Sequence, residues 1–118
     1  MTKESISTMK LFDAQALAQS GVVTSVPVDL REISLRGAFA VHLIQAGAGT
    51  TKIEYLVAPS KDGTYLEPSG ASDIVAAQAA GSNLIAFTPN LTPWLKIRVT
   101  ENGVGAIASL SRLFQVSQ

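Results

Sequence analysis

Residues 37–65 alternate with a period of two, break at a pair of glycines, alternate again and stop at Lys61-Asp62-Gly63. In the first half Phe39, Val41 and Leu43 fall on one face while Ala38, Ala40 and His42 fall on the other. In the second half Ile53, Tyr55 and Val57 oppose Lys52, Glu54 and Leu56, an inner face set against a solvent face. Only an extended strand places residues i, i+2 and i+4 on one side, so the segment predicts two strands joined by a loop at Gly47 and Gly49. Lys61-Asp62-Gly63 predicts a tight turn, with the aspartate capping its own backbone and Gly63 supplying a positive φ. A chain with that grammar is a hairpin-built β protein.

The rest of the sequence keeps the rhythm. Residues 22–30 are β-branched but interrupted by Pro27, which cannot donate to a ladder, so they predict an edge strand or a strand that bends. Residues 64–67 predict a short strand ended by Pro68, and residues 83–87, 93–100 and 106–116 predict three more. Within 93–100, Leu95, Ile97 and Val99 point inward against Trp94, Lys96 and Arg98 outward, and Glu101-Asn102-Gly103 follows as a turn. Residues 10–20 read as a short strand running into irregular chain. Residues 69–82 admit two readings: a helix capped by Ser72 or Asp73 and stopped at Gly81, or a loop with a strand-like piece at Ile74 and Val75. About seven or eight strands spaced roughly 8–12 residues apart are the rhythm of a sandwich or barrel. The expected fold is all-β, an antiparallel β-sandwich of jelly-roll or immunoglobulin-like type, between which patterning does not choose. Residues 1–9 are polar and aperiodic and are expected to form an N-terminal arm, with 10–118 as the single sandwich domain.

Composition narrows the function classes. A chain of 118 residues supports one core, burying roughly 65% of its unfolded surface. Charged residues make up only 15%, against roughly 25% in ordinary soluble domains. A surface with so little charge suits contact with other subunits. The nine basic and nine acidic residues cancel and no Lys/Arg cluster lines up for phosphates, so no nucleic-acid partner is expected. The absence of cysteine excludes disulfides, thiolate catalysis and cysteine metal sites. The N-terminus lacks the apolar core of a signal peptide, and no run approaches the roughly 18 apolar residues of a membrane helix. A soluble protein made in the cytoplasm, with no membrane partner, is the expectation.

The search for chemistry returns no catalytic, cofactor-binding or metal site. His42 is the single histidine and sits on a strand without a nucleophile signature, so it reads as a surface or interface residue. Asp29 with Glu32, and Asp62 with Glu67, are the nearest approach to a carboxylate pair or a calcium site, but Asp62 is explained by its turn and no D-x-D-x-D spacing exists. Gly47-Ala48-Gly49 lacks both the lysine and the following helix of a phosphate loop. Trp94, outward with Lys96 and Arg98, has two readings. With Tyr55 and Tyr65 it is a sugar-stacking platform; alone it caps one end of the core or meets another subunit, the favoured reading in a chain only 6% aromatic. The expected interaction surface is therefore Trp94, Lys96, Arg98 and His42, and no enzymatic activity is expected.

Thr24-Ser25 with Pro27-Val28-Asp29-Leu30, then residues 37–41, 52–55 and 60–65, then Phe87-Thr88-Pro89 with residues 93–100, stand in an order that resembles small virion proteins of tailed bacteriophages. The resemblance covers most of the chain from Val22 onward. It implies a structural role in the virion: a head decoration or cement protein, or else a component of the tail, baseplate or head-to-tail junction. The partners it implies are other copies of the chain, with a trimer the stoichiometry considered, and the major capsid protein or another virion protein. It transfers no catalytic residue and no cofactor. The abundance of Ala, Ser, Thr and Gly agrees with surfaces that pack flat against copies of themselves or a shell.

Overall fold

The computed structural model describes residues 4–31, 39–68, 73–87 and 92–117, and these hold nine strands and no helix. They are β1 (Glu4–Leu17), β2 (Val22–Thr24), β3 (Val28–Asp29), β4 (Phe39–Ala46), β5 (Thr51–Ala58), β6 (Asp73–Gln78), β7 (Gly81–Phe87), β8 (Trp94–Glu101) and β9 (Ala106–Ser117). All pair antiparallel, in a first sheet of order β1-β9-β4-β7 and a second of order β2-β8-β5-β6, with β3 also on β8.

Pro27 lies in the gap between β2 and β3, both of which pair with β8, so the two are one bent edge strand. Counted that way the described residues hold eight strands, and their pairing is nested: first with last, second with seventh, third with sixth, fourth with fifth. One long antiparallel hairpin rolled over on itself gives this order, the jelly roll. An immunoglobulin-like sandwich would instead pair its first two strands within one sheet. Here β1 and β2 belong to different sheets.

The alternation read from sequence fills the space between the sheets. Phe39, Val41 and Leu43 of β4 and Leu110 of β9 meet Ile53 and Tyr55 of β5 and Leu95, Ile97 and Val99 of β8 in one apolar cluster, closed at its ends by Phe12, Leu17, Val28 and Leu30. All are buried. At about 1.5–3 kcal/mol per fully buried large side chain, this layer is the main source of stability.

Several expectations are corrected. Residues 4–9, assigned to the arm, pair with β9 from Ser117 to Arg112 and form the first half of β1. An edge strand can lack an apolar period because its neighbour's backbone supplies the pairing, so aperiodicity was no sign of an arm. The strand read in 10–20 is the continuation of β1 to Leu17. The helix reading of 69–82 fails from Asp73 onward, where β6 pairs with β5 and β7 with β4; residues 69–72 lie outside the described residues. Gly63 does not take a positive φ; among the described glycines Gly47, Gly81 and Gly105 do. The 60–65 turn is held instead by Gly63 N–H donating to the Ser60 carbonyl (3.2 Å) and the Tyr65 hydroxyl donating to the Lys61 carbonyl (2.7 Å). Residues 64–67 contribute a single bridge, Leu66 to Val57, rather than a strand.

Candidate functional site

The filling between the sheets being apolar, the polar chemistry of the described residues lies on the two outer faces and at one end of the roll. Residues directly opposite in an antiparallel ladder share a face, so the registers define both.

The outer face of the second sheet carries Trp94, Lys96 and Arg98 along β8, opposite Ala58, Leu56 and Glu54 of β5. Each is engaged by the segment that follows β5. That segment folds back, its Leu66 exchanging both backbone hydrogen bonds with Val57 (2.9 and 3.0 Å). Glu67 then reaches Arg98, and Tyr65 lies with its ring centroid 4.4 Å from the Lys96 ammonium. Trp94 is half-buried, with the Arg31 guanidinium 4.9 Å and the Lys61 ammonium 5.9 Å from its ring centroid. Arg31 is itself held by Asp29, donating from Nε (3.0 Å) and from a terminal nitrogen (2.9 Å). That hydrogen bond from the Arg31 side chain keeps the Asp29 carboxyl below the usual aspartate range.

Glu54, expected on the solvent side, is only 4% exposed, and Leu56 is buried with it. The covering segment is a long-range feature invisible to a local period. Glu54 accepts from Arg98 Nε at 3.1 Å and lies 3.5 Å from the Lys52 ammonium. Arg98 thus joins Glu54 to Glu67, and both carboxylates raise its pKa against the opposing effect of burial. An open cleft of about 410 Å³ sits over this cluster, floored by Glu54, Arg98, Lys52 and Thr100. Two carboxylates balanced by two cations form a brace across β5, β8 and the returning segment. As a sugar platform the surface is poorly made, because cations already lie over the Trp94 ring and Tyr55 is in the core.

The outer face of the first sheet has a different character. Over β4, β7 and β9 it carries Ala40, His42 and Ile44 of β4, Ala86, Leu84 and Ser82 of β7, and Ser111 and Ser109 of β9. Leu84 and Ile44 are 68% and 51% exposed. His42 is half-buried and its Nε2 lies 3.1 Å from the Ser82 hydroxyl. None of these residues is an acid, a lysine or an arginine; Lys10, on β1 opposite Ser111, continues the face at its edge and pairs with Asp13. Of the four residues expected to form one surface, Trp94, Lys96 and Arg98 are brought together, whereas His42 lies on the opposite side of the molecule. Sequence reasoning missed Ile44 and Leu84 as members of the first-sheet face, and it placed Glu54 outward without seeing that it is buried in an ion-pair cluster. The position of Ile44 two residues after His42, on the same side of β4, was a signal for the first.

A third polar feature lies at one end of the roll. Glu101 is 1% exposed; its Oε1 accepts from the Gly103 N–H at 2.6 Å, and its Oε2 is buried without a hydrogen-bond partner among the described residues. Nearby, the Gln45 side chain donates to the carbonyls of Gly49 (3.0 Å) and Gln78 (2.8 Å) and accepts from Thr51. The Gly49 N–H donating to the Gly105 carbonyl (3.0 Å) and the Asn102 N–H donating to the Thr50 carbonyl (2.8 Å) tie the 46–50 loop to the 102–105 turn, and the Gln45 amide ties the same end to β6. No group of three or more metal-ligating side chains occurs among the described residues.

The class that this topology defines is the antiparallel jelly roll, two four-to-five-stranded sheets closed over an apolar filling. No protein-family model matches the chain, and no curated protein matches it. Among solved structures, a chain from the structure of infectious bursal disease virus, Gx strain, is similar at a TM-score of 0.55 and 15% identity, over 97% of this chain and 32% of that one. The likeness is one of fold, and this chain spans about a third of the length of that relative.

Proposed function

We propose that this chain is a structural protein of a virion, a jelly-roll unit that docks on an assembled shell as a head decoration or cement protein. The observation that carries the reading is the contrast between the outer faces. One is braced internally by ion pairs; the other, over β4, β7 and the part of β9 beside them, carries Ala, Ser, His, Ile and Leu and no acid, lysine or arginine among the residues described, the Lys10–Asp13 pair lying at the far edge on β1. A patch with exposed Leu84 and Ile44 and no acid, lysine or arginine among its own residues is suited to contact with another protein surface. The fold likeness to a viral chain and the resemblance to small phage virion proteins support the same reading. No catalytic role is assigned, and the proposed mechanism is shape-complementary burial repeated over many copies, each contact weak and the lattice strong.

The test is co-sedimentation of the purified chain with emptied heads of a tailed phage that encodes it. Saturation at a stoichiometry set by the shell lattice is expected, together with loss of binding in Ile44→Asp and unchanged binding in Lys96→Ala. A few copies per particle arranged in a ring would instead assign the chain to the tail or head-to-tail junction. Failure to bind any part of the virion would overturn the reading.

A further inference from the structure

The four sheet edges are unequal. The edge of β1 has two register shifts, between Lys10 and Phe12 and between Phe12 and Gln15, and carries the exposed Lys10–Asp13 pair. The edge formed by β2 and β3 has strands of three and two residues separated by Pro27. The β6 edge also has two register shifts. Bulges, short strands, proline and charge are the devices by which proteins keep an open ladder from capturing another strand.

Strand β7 has none of them. Its seven residues, GSNLIAF, pair with β4 in seven successive rungs without a shift and include no charge and no proline. The stretch from Gly81 to Leu84 is exposed, and Leu84 at its midpoint is 68% exposed. Nothing described pairs with its other edge.

We infer that β7 is a self-association strand, pairing antiparallel with β7 of a second copy to make one continuous eight-stranded sheet. The argument for a second copy is complementarity about a two-fold axis at Leu84. Leu84 then faces its own counterpart, Asn83 faces Ile85, Ser82 faces Ala86, and no like charges are opposed anywhere along the strand. Leu84 also lies beside Ile44 and His42 on the outer face, so pairing doubles an uncharged surface without interrupting it. Strand addition of this kind draws affinity from main-chain hydrogen bonds. A single strand pair buries much less than the roughly 1,200–2,000 Å² of a standard interface, so the dimer is weak and forms at high concentration or on a crowded surface. The inference stands independently of the virion reading.

Sedimentation equilibrium of the full chain over a hundredfold range of concentration tests it, alongside amide hydrogen exchange at the two extremes. A reversible monomer–dimer equilibrium is expected, with exchange at 81–87 slowed at least severalfold in the dimer. Leu84→Lys puts two ammonium groups across the axis and should leave a folded monomer at every concentration, while Thr24→Lys on the β2 edge should dimerise like the parent. A parent chain that stays monomeric, a trimer, or a dimer that survives Leu84→Lys would each overturn the assignment.

Discussion

At the scale of single residues, the tightest approach to any described glycine is at Gly49. A Cβ there would fall inside contact distance of the Glu101 carboxylate and 2.7 Å from the Gly105 carbonyl oxygen, which already accepts the Gly49 N–H at 3.0 Å. Glu101 cannot swing away, because its Oε1 holds the Gly103 N–H and its side chain is buried. Gly49→Ala should therefore destabilise the fold by at least about 2 kcal/mol, the upper part of the range for overpacking, read as a lowered urea midpoint at unchanged slope. A loss below 0.5 kcal/mol, taken here as roughly the spread of neutral surface changes, would show that the loop shifts freely. Sequence reasoning saw that glycines 47 and 49 make the turn, but conformational freedom is the reason only at Gly47, whose φ is 103°. At Gly49 the reason is the approach of Glu101, a residue more than fifty positions away, and no local pattern carries that.

At the scale of elements, what could be read depended on whether the neighbour's contribution mattered. Strands β4, β5 and β8 were legible because their own alternation buries Phe39, Val41, Leu43, Ile53, Tyr55, Leu95, Ile97 and Val99. Of β1 only the half from Lys10 was read as strand, and β6 only as a strand-like piece in one of two readings, since at an edge the pairing partner supplies the order and polar or alanine-rich sequence suffices. The same limit hid the brace on β5 and β8, where Glu54 is buried because a later segment returns over it. This brace makes an element-level prediction. Arg98→Ala leaves a buried carboxylate with Lys52, at 3.5 Å, as its remaining cation among the described residues and should cost about 1–3 kcal/mol. Glu54→Leu combined with Arg98→Met removes both charges and keeps the volume, and should recover most of that loss. A double-mutant cycle by urea denaturation measures it. Strictly additive losses would mean that the two side chains do not act as a unit.

At the scale of the whole molecule, the nested pairing makes each strand depend on one distant in sequence. The final strand, β9, sits between β1 and β4, so the first sheet cannot assemble until both ends of the chain are together. Patterning yielded the strands and their faces but left jelly roll and immunoglobulin-like open, because the two differ only in which strands are neighbours. Both sheets contribute to one apolar cluster, so neither retains a core if the other is lost. The roll should therefore unfold in a single cooperative step. Trp94, the one tryptophan, reports on the second sheet through its fluorescence, while far-UV circular dichroism reports on both. The two urea transitions are expected to coincide, in the parent chain and in Leu110→Ala, whose fully buried side chain belongs to the first sheet. That variant should lose about 2–5 kcal/mol, shifting the Trp94 transition and the dichroism transition to the same lower midpoint. If removing Leu110 moved the dichroism curve and left Trp94 in place, the sheets would be energetically separate, and the filling between them would not be one core.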